Sequence, residues 1–363
     1  MSGLPGRLSP ESFNLPVDEI RRGFYTDVYF YRTKAVLEKL GRHPRVVMQV
    51  FQKKDAWLGG IDEAIASLKL CSGHFDGGGN WADGWDRLEV RALRDGDRIS
   101  PYETVMTIEG DYSLFAHLET VYLGSLARGT LVCKNVRAAL AAAGGKPVLM
   151  FGARHDHYSV QPLDGLAASL AGMDQVSTDA QASLWGGKGI GTIPHSLIAS
   201  FDGDTVGATR AFADLYYPDV KVVSLVDFDN DCVNTSLAVA RELKEKLWGV
   251  RLDNAETLVD RSLIDEMGYF KPTGVQPELA FKVRRALDAE GFSHVKIIVS
   301  AGFDAAKIAR FETAGAPVDA YGVGSSLLRG ENDYTADIVM VEGKPVAKVG
   351  RRFRPNERLK KVT

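Results

Sequence analysis

The chain has 363 residues, 45% hydrophobic and 25% charged, a composition that excludes wholesale disorder, collagen and a small disulfide scaffold. Its 44 Lys and Arg residues against 47 Asp and Glu leave a formal charge of −3, without the basic excess of most nucleic-acid binders. Cys71, Cys133 and Cys232 are far apart, which fits reduced intracellular thiols. Neither a signal-peptide core nor an apolar run of about 18 residues is present. We therefore expect a cytoplasmic protein that binds neither nucleic acid nor membrane.

The first third of the chain has the pattern of a small β-rich domain. Segments with helical spacing or strand-length apolar runs follow one another at residues 26–40, 46–51, 60–70 and 103–108. Asp95-Gly96 predicts a turn between extended pieces. Near the end of the chain, 337–348 predicts a hairpin around Glu342-Gly343 that returns to this domain. We expect a domain over 1–112 that is joined by the tail 335–363.

From about residue 113, short apolar runs alternate with helical segments. The runs are residues 147–151, 191–201, 220–226, 248–252, 295–299 and 318–323. Such alternation is typical of βα units and a parallel sheet. Six or so repeats over roughly 200 residues suit a barrel better than a small open sheet, although an open doubly wound sheet stays an alternative. The predicted fold class is therefore α/β, with an irregular α/β barrel over 113–334 beside the β-rich α+β domain.

Two consecutive strand ends late in this region carry small residues suited to a phosphate. The strand at 295–299 runs into Ser300-Ala-Gly302 and a helix over 305–313, and Gly322-Val-Gly324 repeats the pattern about twenty residues later. Small residues let a phosphate approach the backbone, and N–H groups at a helix start point at it. Late βα loops of barrels often form such a site. The candidate phosphate-binding residues are Ser300, Gly302, Gly322 and Gly324.

An arginine and two histidines follow the predicted strand at 147–151. The guanidinium of Arg154 can bind a carboxylate or phosphate through two parallel hydrogen bonds. The spacing of His155 and His157 suggests a metal ligand pair. Because no Cys or carboxylate set joins them at ligand spacing, we expect no metal held by the protein alone. Arg154 as an anion-binding residue is the better interpretation.

Acidic residues and a second arginine end two further predicted strands. Arg251 and Asp253 fall on one side of an extended strand by alternation. They either bind pyrophosphate and ribose hydroxyls or Mg²⁺, or form a surface ion pair. Asp227 has a similar position after 220–226. These three residues are candidates for binding a phosphorylated sugar.

His195 and Tyr25 stand out for other reasons. His195 follows Gly191-Thr-Ile-Pro194, which predicts a position near a strand end. A histidine there can act as base, nucleophile or phosphate acceptor, or can be a hydrogen-bonded loop residue. Tyr25 lies among four aromatic residues within eight positions, a pattern that serves either ring stacking or ordinary packing.

Taken in order, these segments resemble the nicotinate phosphoribosyltransferase family, in particular its shorter bacterial and archaeal form. The resemblance rests on Thr26–Phe30, Phe151–His155, Gly191–His195, Leu225–Asp227, Val250–Asp253, Val299–Gly302 and Tyr321–Gly324. It implies a type II phosphoribosyltransferase built from a β-rich domain and an irregular barrel. It also implies a homodimer or larger homo-oligomer, with active sites near subunit boundaries.

The resemblance further implies an activity and roles for the candidate residues. Nicotinate joins phosphoribosyl pyrophosphate to give nicotinate mononucleotide and pyrophosphate in NAD salvage, with Mg²⁺ and with ATP as co-substrate. It assigns His195 as the transiently phosphorylated residue, with Arg251 and Asp253 as further catalytic residues. The implied substrate-binding residues are Tyr25, which stacks the pyridine ring, together with Arg154, His155 and Asp227. The implied phosphate-binding residues are Ser300, Gly302, Gly322 and Gly324.

Other interpretations stay open. His155-Asp156-His157 replaces a second arginine of longer relatives, and Ala301 stands where a second glycine is commoner, so two other pyridine bases stay alternatives. A nicotinamide enzyme would favour an Asp near the ring, such as Asp179, whereas quinolinate would require a denser Arg and Lys set. From another class, a barrel lyase or isomerase acting on a sugar phosphate fits the phosphate loops, but no Schiff-base lysine is evident.

Overall fold

The computed structural model describes residues 6–363, and the chain divides into two compact units. The first unit comprises Met1–Lys134, described from Gly6 onward, with Leu166–Ala171 and Gly330–Thr363. The second comprises Asn135–Gly165 and Gly172–Arg329. The C-terminal segment thus belongs to the same unit as the N-terminal one. The limits 112 and 334 given above for sequence domains stay a prediction.

The regular elements are numbered in chain order. The α-helices are α1 (Val17–Arg21), α2 (Val28–Lys39), α3 (Ile61–Cys71), α4 (Glu119–Ala142), α5 (Gln161–Leu170), α6 (Asp179–Ala182), α7 (His195–Ser200), α8 (Thr205–Tyr216), α9 (Cys232–Leu243), α10 (Pro277–Ala289) and α11 (Ala305–Thr313). The strands are β1 (Arg45–Phe51), β2 (Ala56–Trp57), β3 (Gly73–Phe75), β4 (Trp81–Asp83), β5 (Glu89–Ala92), β6 (Arg98–Ile99), β7 (Thr104–Asp111), β8 (Val148–Met150), β9 (Val222–Leu225), β10 (Leu247–Leu252), β11 (Lys296–Val299), β12 (Ala320–Val323), β13 (Thr335–Val341), β14 (Lys344–Pro345) and β15 (Lys360–Lys361). No helix within residues 6–363 is both long and apolar enough to cross a membrane.

The first unit is built around a six-stranded antiparallel sheet in the order β14-β13-β1-β7-β5-β15. Because side chains alternate along a strand, Val46, Met48 and Val50 of β1 all enter the apolar core. The predicted hairpin at the tail is confirmed: β13 and β14 pair around Glu342 and Gly343, both at positive φ. A two-residue turn with positive φ at both positions matches the twist of a hairpin.

The second unit is built around a parallel sheet in the order β8-β12-β11-β10-β9. Between the two edge strands, single bridges join Val176 to Met150 and to Gly189. The Ile193 N–H then donates to the Val223 carbonyl of β9 at 3.4 Å. The regular strands alone leave the ring open, and these irregular segments lie across the opening. The predicted α/β fold class, with one parallel-sheet unit and one β-rich unit, is confirmed.

The interior of the parallel sheet is layered. Leu149, Val223, Ile298 and Ala320 form a buried apolar cluster against the half-buried Trp248 and Phe151. Side chains two residues further along a strand point the same way. Ile298 is therefore followed by Ser300, and Ala320 by Gly322, at the carboxyl edge of the sheet. A layer of apolar side chains therefore lies next to the polar and small residues at the carboxyl ends of the strands.

One predicted strand is wrong. The apolar run 191–201 contains helix α7, which begins at His195 directly after Pro194. Ile193 and Ile198 are both buried and pack with Ala208 and Leu225. The run is therefore apolar because Ile198 of the helix and Ile193 just before the helix pack into this cluster. As a result, His195 occupies the first turn of a helix instead of a strand end.

Candidate active site

A cavity of about 650 Å³ opens at the carboxyl edge of the parallel sheet. Most of the predicted site residues line it: Arg154, His155, His195, Arg251, Asp253, Ser300, Gly302, Gly322 and Gly324. They come from the last residues of β10 and β12, from the segments that follow β8, β10, β11 and β12, and from the start of α7. The carboxyl ends of parallel strands are the usual position for a ligand in such folds. The topology therefore brings together residues that span 170 positions of sequence.

His195 is paired with a buried carboxylate. Its Nε2 lies 2.9 Å from Oδ2 of Asp227, which follows β9 and keeps only 6% of its side chain exposed. Hydrogen bonding to Asp227 raises the pKa of the His195 imidazole, against an opposing effect of partial burial. Asp227 Oδ1 is buried without a hydrogen-bond partner in the described chain. Since Nε2 is engaged, Nδ1 is the nitrogen that is free to react.

Arg251 is the central cation of the cavity. Its guanidinium lies over the Phe151 ring at 5.5 Å and 3.7 Å from an Asp253 carboxylate oxygen. Burial lowers the pKa of Arg251, and the charges of Asp253 and Asp227 oppose that effect. Arg251 Nε is buried and unpartnered among the described residues. A buried guanidinium with an unused N–H group is suited to an anionic ligand.

Asp253 is held in place by a second strand. Ser300 Oγ donates to its Oδ1 at 2.6 Å, which links the end of β10 to the end of β11. Ser300 is itself buried, so this hydroxyl contact is fixed by the sheet. Alternation predicted that Arg251 and Asp253 share a side of the strand, and their common place in the cavity confirms it. The Asp253 carboxylate therefore faces the cavity in a defined orientation.

The loop after β11 turns its backbone toward the cavity. Ala301 and Gly302 both have positive φ, 70° and 65°. Within the described chain, the N–H groups of Ala301, Gly302 and Phe303 meet no acceptor. Consecutive free N–H groups in such a turn form a concavity for anions. The helix that follows starts as predicted, because Asp304 caps α11 by accepting from Lys307 N at 2.8 Å.

Gly322 in β12 and Gly324 just after it are needed for space. A Cβ on Gly322 would lie 2.5 Å from the Phe151 ring, and one on Gly324 would lie 2.9 Å from His155 Cε1. Both distances are shorter than real Cβ contacts, so either side chain would displace an aromatic ring of the cavity. His155 and the exposed Arg154 stand in a short turn after β8. No carboxylate partner of Arg154 lies in the part of the chain that the structure describes.

The sequence did not predict a buried polar network around Asn254. Asn254 donates to Asn230 at 3.0 Å and to Asp260 at 3.3 Å, and Asp260 also accepts from Cys232 N. It thereby ties the loop after β9 to the loop after β10. Phe151 beneath Arg251 was also missed as a site residue. Its signal was the alternation from Leu149 to Phe151 at the end of an apolar strand.

Tyr25 lies outside this cavity. It belongs to the first unit, is 49% exposed, and packs edge-on against Phe24 at 5.1 Å. Its assignment as a ring-stacking residue stays a prediction. Among the described residues, no cluster of three or more His, Cys, Asp or Glu side chains has the arrangement of a metal site.

Comparison with known proteins supports a common origin. The sequence model of the quinolinate phosphoribosyl transferase N-terminal domain matches residues 27–130. A nicotinate phosphoribosyltransferase of Mycobacterium tuberculosis is 29% identical over 72% of this chain and 56% of its own length. One of Bacillus subtilis is 24% identical over 65% of this chain and 45% of its own. The chain spans about half the length of the curated relatives it matches.

Solved structures extend the match to nearly the whole chain. The nicotinate-nucleotide pyrophosphorylase of Pyrococcus furiosus is 34% identical, with a TM-score of 0.78 over 94% of this chain and 81% of that one. Human nicotinic acid phosphoribosyltransferase, 19% identical, shares the fold with a TM-score of 0.67 over 90% of this chain and 77% of its own. The chain therefore belongs to the type II phosphoribosyltransferases, the family of the nicotinate and quinolinate enzymes.

Proposed function

We propose that the protein is a nicotinate phosphoribosyltransferase that acts in NAD salvage. The observation that carries the proposal is one cavity that combines the His195–Asp227 pair, Arg251 and two backbone loops suited to phosphate. The names of the curated relatives support the same activity. A flat monocarboxylate and a triply phosphorylated sugar are the substrates, and the cavity offers cations and free N–H groups for their anionic parts.

Each part of the substrates has a proposed position. The 5′-phosphate lies against Gly302 and Gly324, where it accepts hydrogen bonds from backbone N–H groups. Arg251 binds a phosphoribosyl oxygen through its guanidinium, which lines the cavity, and Asp253 accepts from ribose hydroxyls. Arg154, exposed and free of a carboxylate partner in the described chain, binds the nicotinate carboxylate beside His155.

The reaction needs alignment more than proton transfer. The pyridine nitrogen attacks C1 of the ribose, the N–C1 bond forms, and the C1–O bond to pyrophosphate breaks with both electrons leaving on oxygen. Arg251 neutralises charge as it develops on the leaving group. Mg²⁺ would be held by Asp253, the carboxylate that lines the cavity, jointly with substrate phosphates. When bound, it supplies further charge neutralisation.

ATP coupling is proposed to proceed through His195. Attack of Nδ1 on the γ-phosphorus of ATP forms an N–P bond and breaks the P–O bond to ADP. Asp227, bonded to Nε2, fixes the tautomer that leaves the Nδ1 lone pair free and stabilises the charged imidazole that results. Hydrolysis of the phosphohistidine would then drive mononucleotide synthesis forward. Replacing His195 with Ala should abolish ATP stimulation and leave some ATP-independent turnover.

The test of the activity is turnover of phosphoribosyl pyrophosphate with nicotinate, nicotinamide and quinolinate in parallel, each with and without ATP. We expect mononucleotide and pyrophosphate from nicotinate, with higher yield when ATP is present. No mononucleotide from any of the three bases would overturn the proposal. Unchanged ATP stimulation in the His195→Ala variant would overturn only the phosphohistidine.

A quinolinate-using enzyme is the second candidate. Two observations favour it: the matching domain model is that of quinolinate enzymes, and the cavity holds two arginines, Arg154 and Arg251. Quinolinate carries two carboxylates, and its conversion to nicotinate mononucleotide must release one of them as CO₂. Production of CO₂ in the quinolinate arm therefore distinguishes the two candidates in the same experiment.

Tyr25 is proposed to stack on the pyridine ring from the partner subunit of a homodimer. Its 49% exposure within its own chain leaves a ring face available. Mixing Tyr25→Ala subunits with Arg251→Met subunits tests this directly. Partial recovery of activity in the mixture is expected, because some hybrid sites combine an intact Tyr25 with an intact Arg251. No recovery would contradict stacking across the subunit boundary.

A further inference from the structure

Lys307 contacts the loop that follows β11 but does not line the cavity. Lys307, in the first turn of α11, donates from Nζ to the Ala301 carbonyl at 2.8 Å. The same ammonium lies 4.5 Å from the centre of the Phe303 ring. Burial lowers its pKa, while the charges of Glu256, Asp304 and Asp253 act in the opposite direction and Arg310 adds to the lowering. This lysine is thus held in one place by several groups.

The residue it holds has an unfavourable backbone conformation. Ala301 has a φ of 70°, in the left-handed region that glycine adopts readily and alanine rarely. Gly302, at 65°, continues that turn. If Ala301 relaxed to negative φ, the peptide plane that carries its carbonyl and the Gly302 N–H would rotate, and that N–H would move relative to the Phe303 N–H. Something must therefore keep Ala301 in place, and the Lys307 ammonium is the group that contacts its carbonyl.

We propose that Lys307 is a positioning residue for phosphate binding. By holding the Ala301 carbonyl away from the cavity, it keeps the adjacent N–H groups aimed at the phosphate of the ligand. A glycine at position 301 would adopt this conformation without steric cost. With alanine there, the contact from Lys307 holds the conformation instead. Only the identity of the phosphate-bearing ligand rests on the proposed function; the positioning itself rests on the loop geometry.

The first test measures binding of ribose 5-phosphate and of inorganic pyrophosphate by calorimetry. Lys307→Met should weaken ribose 5-phosphate binding about tenfold, which corresponds to about 1.4 kcal/mol. Lys307→Arg should restore binding to within roughly threefold, because a guanidinium can also donate to the carbonyl. Lys296→Met is the matched control. Lys296 starts the same strand, pairs with Asp319 at 3.1 Å, and should leave binding unchanged.

The second test separates positioning from simple charge attraction. In an Ala301→Gly background the left-handed conformation has no steric cost. Lys307→Met should then weaken ribose 5-phosphate binding only about two- to threefold. Long-range attraction by the ammonium would instead give the same tenfold loss in both backgrounds, and that result would overturn the proposal. Equal binding by wild type and Lys307→Met would also overturn it. Thermal unfolding of each variant confirms that the fold is retained.

Kinetics provide an independent readout. Lys307→Met should raise the KM for phosphoribosyl pyrophosphate about tenfold, with kcat and the KM for the base nearly unchanged. A fall confined to kcat would contradict a role in phosphate binding. If wild type binds ribose 5-phosphate yet forms no mononucleotide from any base, the proposed function fails while the role of Lys307 stands. If wild type binds neither phosphate compound, the role of Lys307 is overturned.

Discussion

The amino ends and the carboxyl ends of the strands form two edges of the parallel sheet, and these edges differ in whether their charged side chains are paired. At the amino edge, charged groups satisfy one another: Lys146 pairs with Glu312 at 2.7 Å, and Lys296 pairs with Asp319 at 3.1 Å. At the carboxyl edge, Arg251 Nε and Asp227 Oδ1 are buried and unpartnered within the described chain. Buried polar groups are normally hydrogen-bonded, and these two exceptions belong to residues of the candidate site. The charged groups are therefore paired with one another at one edge, and left without a protein partner beside the candidate site at the other.

The largest effect is expected from Arg251→Met, which removes the central cation of the carboxyl edge. Loss of one preorganised donor to developing charge costs about 10²–10³ in rate, and ground-state binding of phosphate is lost as well. We expect kcat/KM to fall about 10³-fold with normal secondary structure by circular dichroism. Arg241→Met is the control, since Arg241 pairs with Glu290 on the surface and should leave kcat/KM unchanged. Comparable losses in both variants would remove the distinction between the edges.

A steric change should have the next largest effect. Gly322→Ala would place a Cβ 2.5 Å from the Phe151 ring, which lies beneath the Arg251 guanidinium. We expect roughly a 10²-fold loss of kcat/KM and a stability loss of about 1–3 kcal/mol from overpacking. Gly124→Ala in α4 is the matched control, because no atom lies within 4 Å of its added Cβ. That variant should gain about 0.5–1 kcal/mol. Denaturant unfolding and steady-state rates measure both quantities.

A smaller effect, in the form of a pH shift, is expected from Asp227→Asn. In the wild type Asp227 raises the pKa of His195. Phosphorylation at Nδ1 needs the neutral imidazole, so ATP stimulation should increase as pH rises through this raised pKa. Without the carboxylate the transition should move to lower pH, and the plateau should fall roughly tenfold because the tautomer is no longer fixed. Titration of the His195 ring protons by NMR checks the direction of the shift.

The same pair makes a small contribution to stability, with a defined sign. The folded-state pKa of His195 is raised, so the protonated pair stabilises the fold fully below the unfolded pKa of about 6.5. That contribution is lost as pH rises through the folded-state pKa. In Asp227→Asn this pH dependence should disappear. An unaltered pH dependence of both stability and ATP stimulation would show that Asp227 does not control His195.

Local patterns predicted the regular parts of the molecule well. The run 295–299 followed by Ser300-Ala-Gly302 predicted both β11 and the glycine turn after it, because buried strands are apolar and their ends need small residues. The hairpin at Glu342-Gly343 was predicted because a positive-φ turn leaves a sequence signature. The helix at His195 was not, since only Ile193 and Ile198 of the run 191–201 are buried, and two apolar positions indicate burial without distinguishing a helix from a strand.

Contacts between distant loops had no such signature. The 2.6 Å bond between Ser300 and Asp253 joins residues 47 positions apart, and the Asn254 network depends on the spacing of two loops. Resemblance to a family supplied candidate residues, but it could not indicate that Lys307 holds the Ala301 carbonyl. These features follow from strand order and loop conformation. Neither is encoded in a local pattern.

The smallest effect is expected at the amino edge, from Glu312→Gln. Glu312 accepts from Lys146 at 2.7 Å and from the Tyr321 hydroxyl, and it is 26% exposed. The amide keeps an acceptor for Tyr321 and loses the charge that pairs with Lys146, so stability should fall by only about 1 kcal/mol. Because every group in this cluster already has a partner in the described chain, kcat/KM should not change. A loss of activity without a loss of stability would show that charge at the amino edge also serves binding, which would end the division between the two edges.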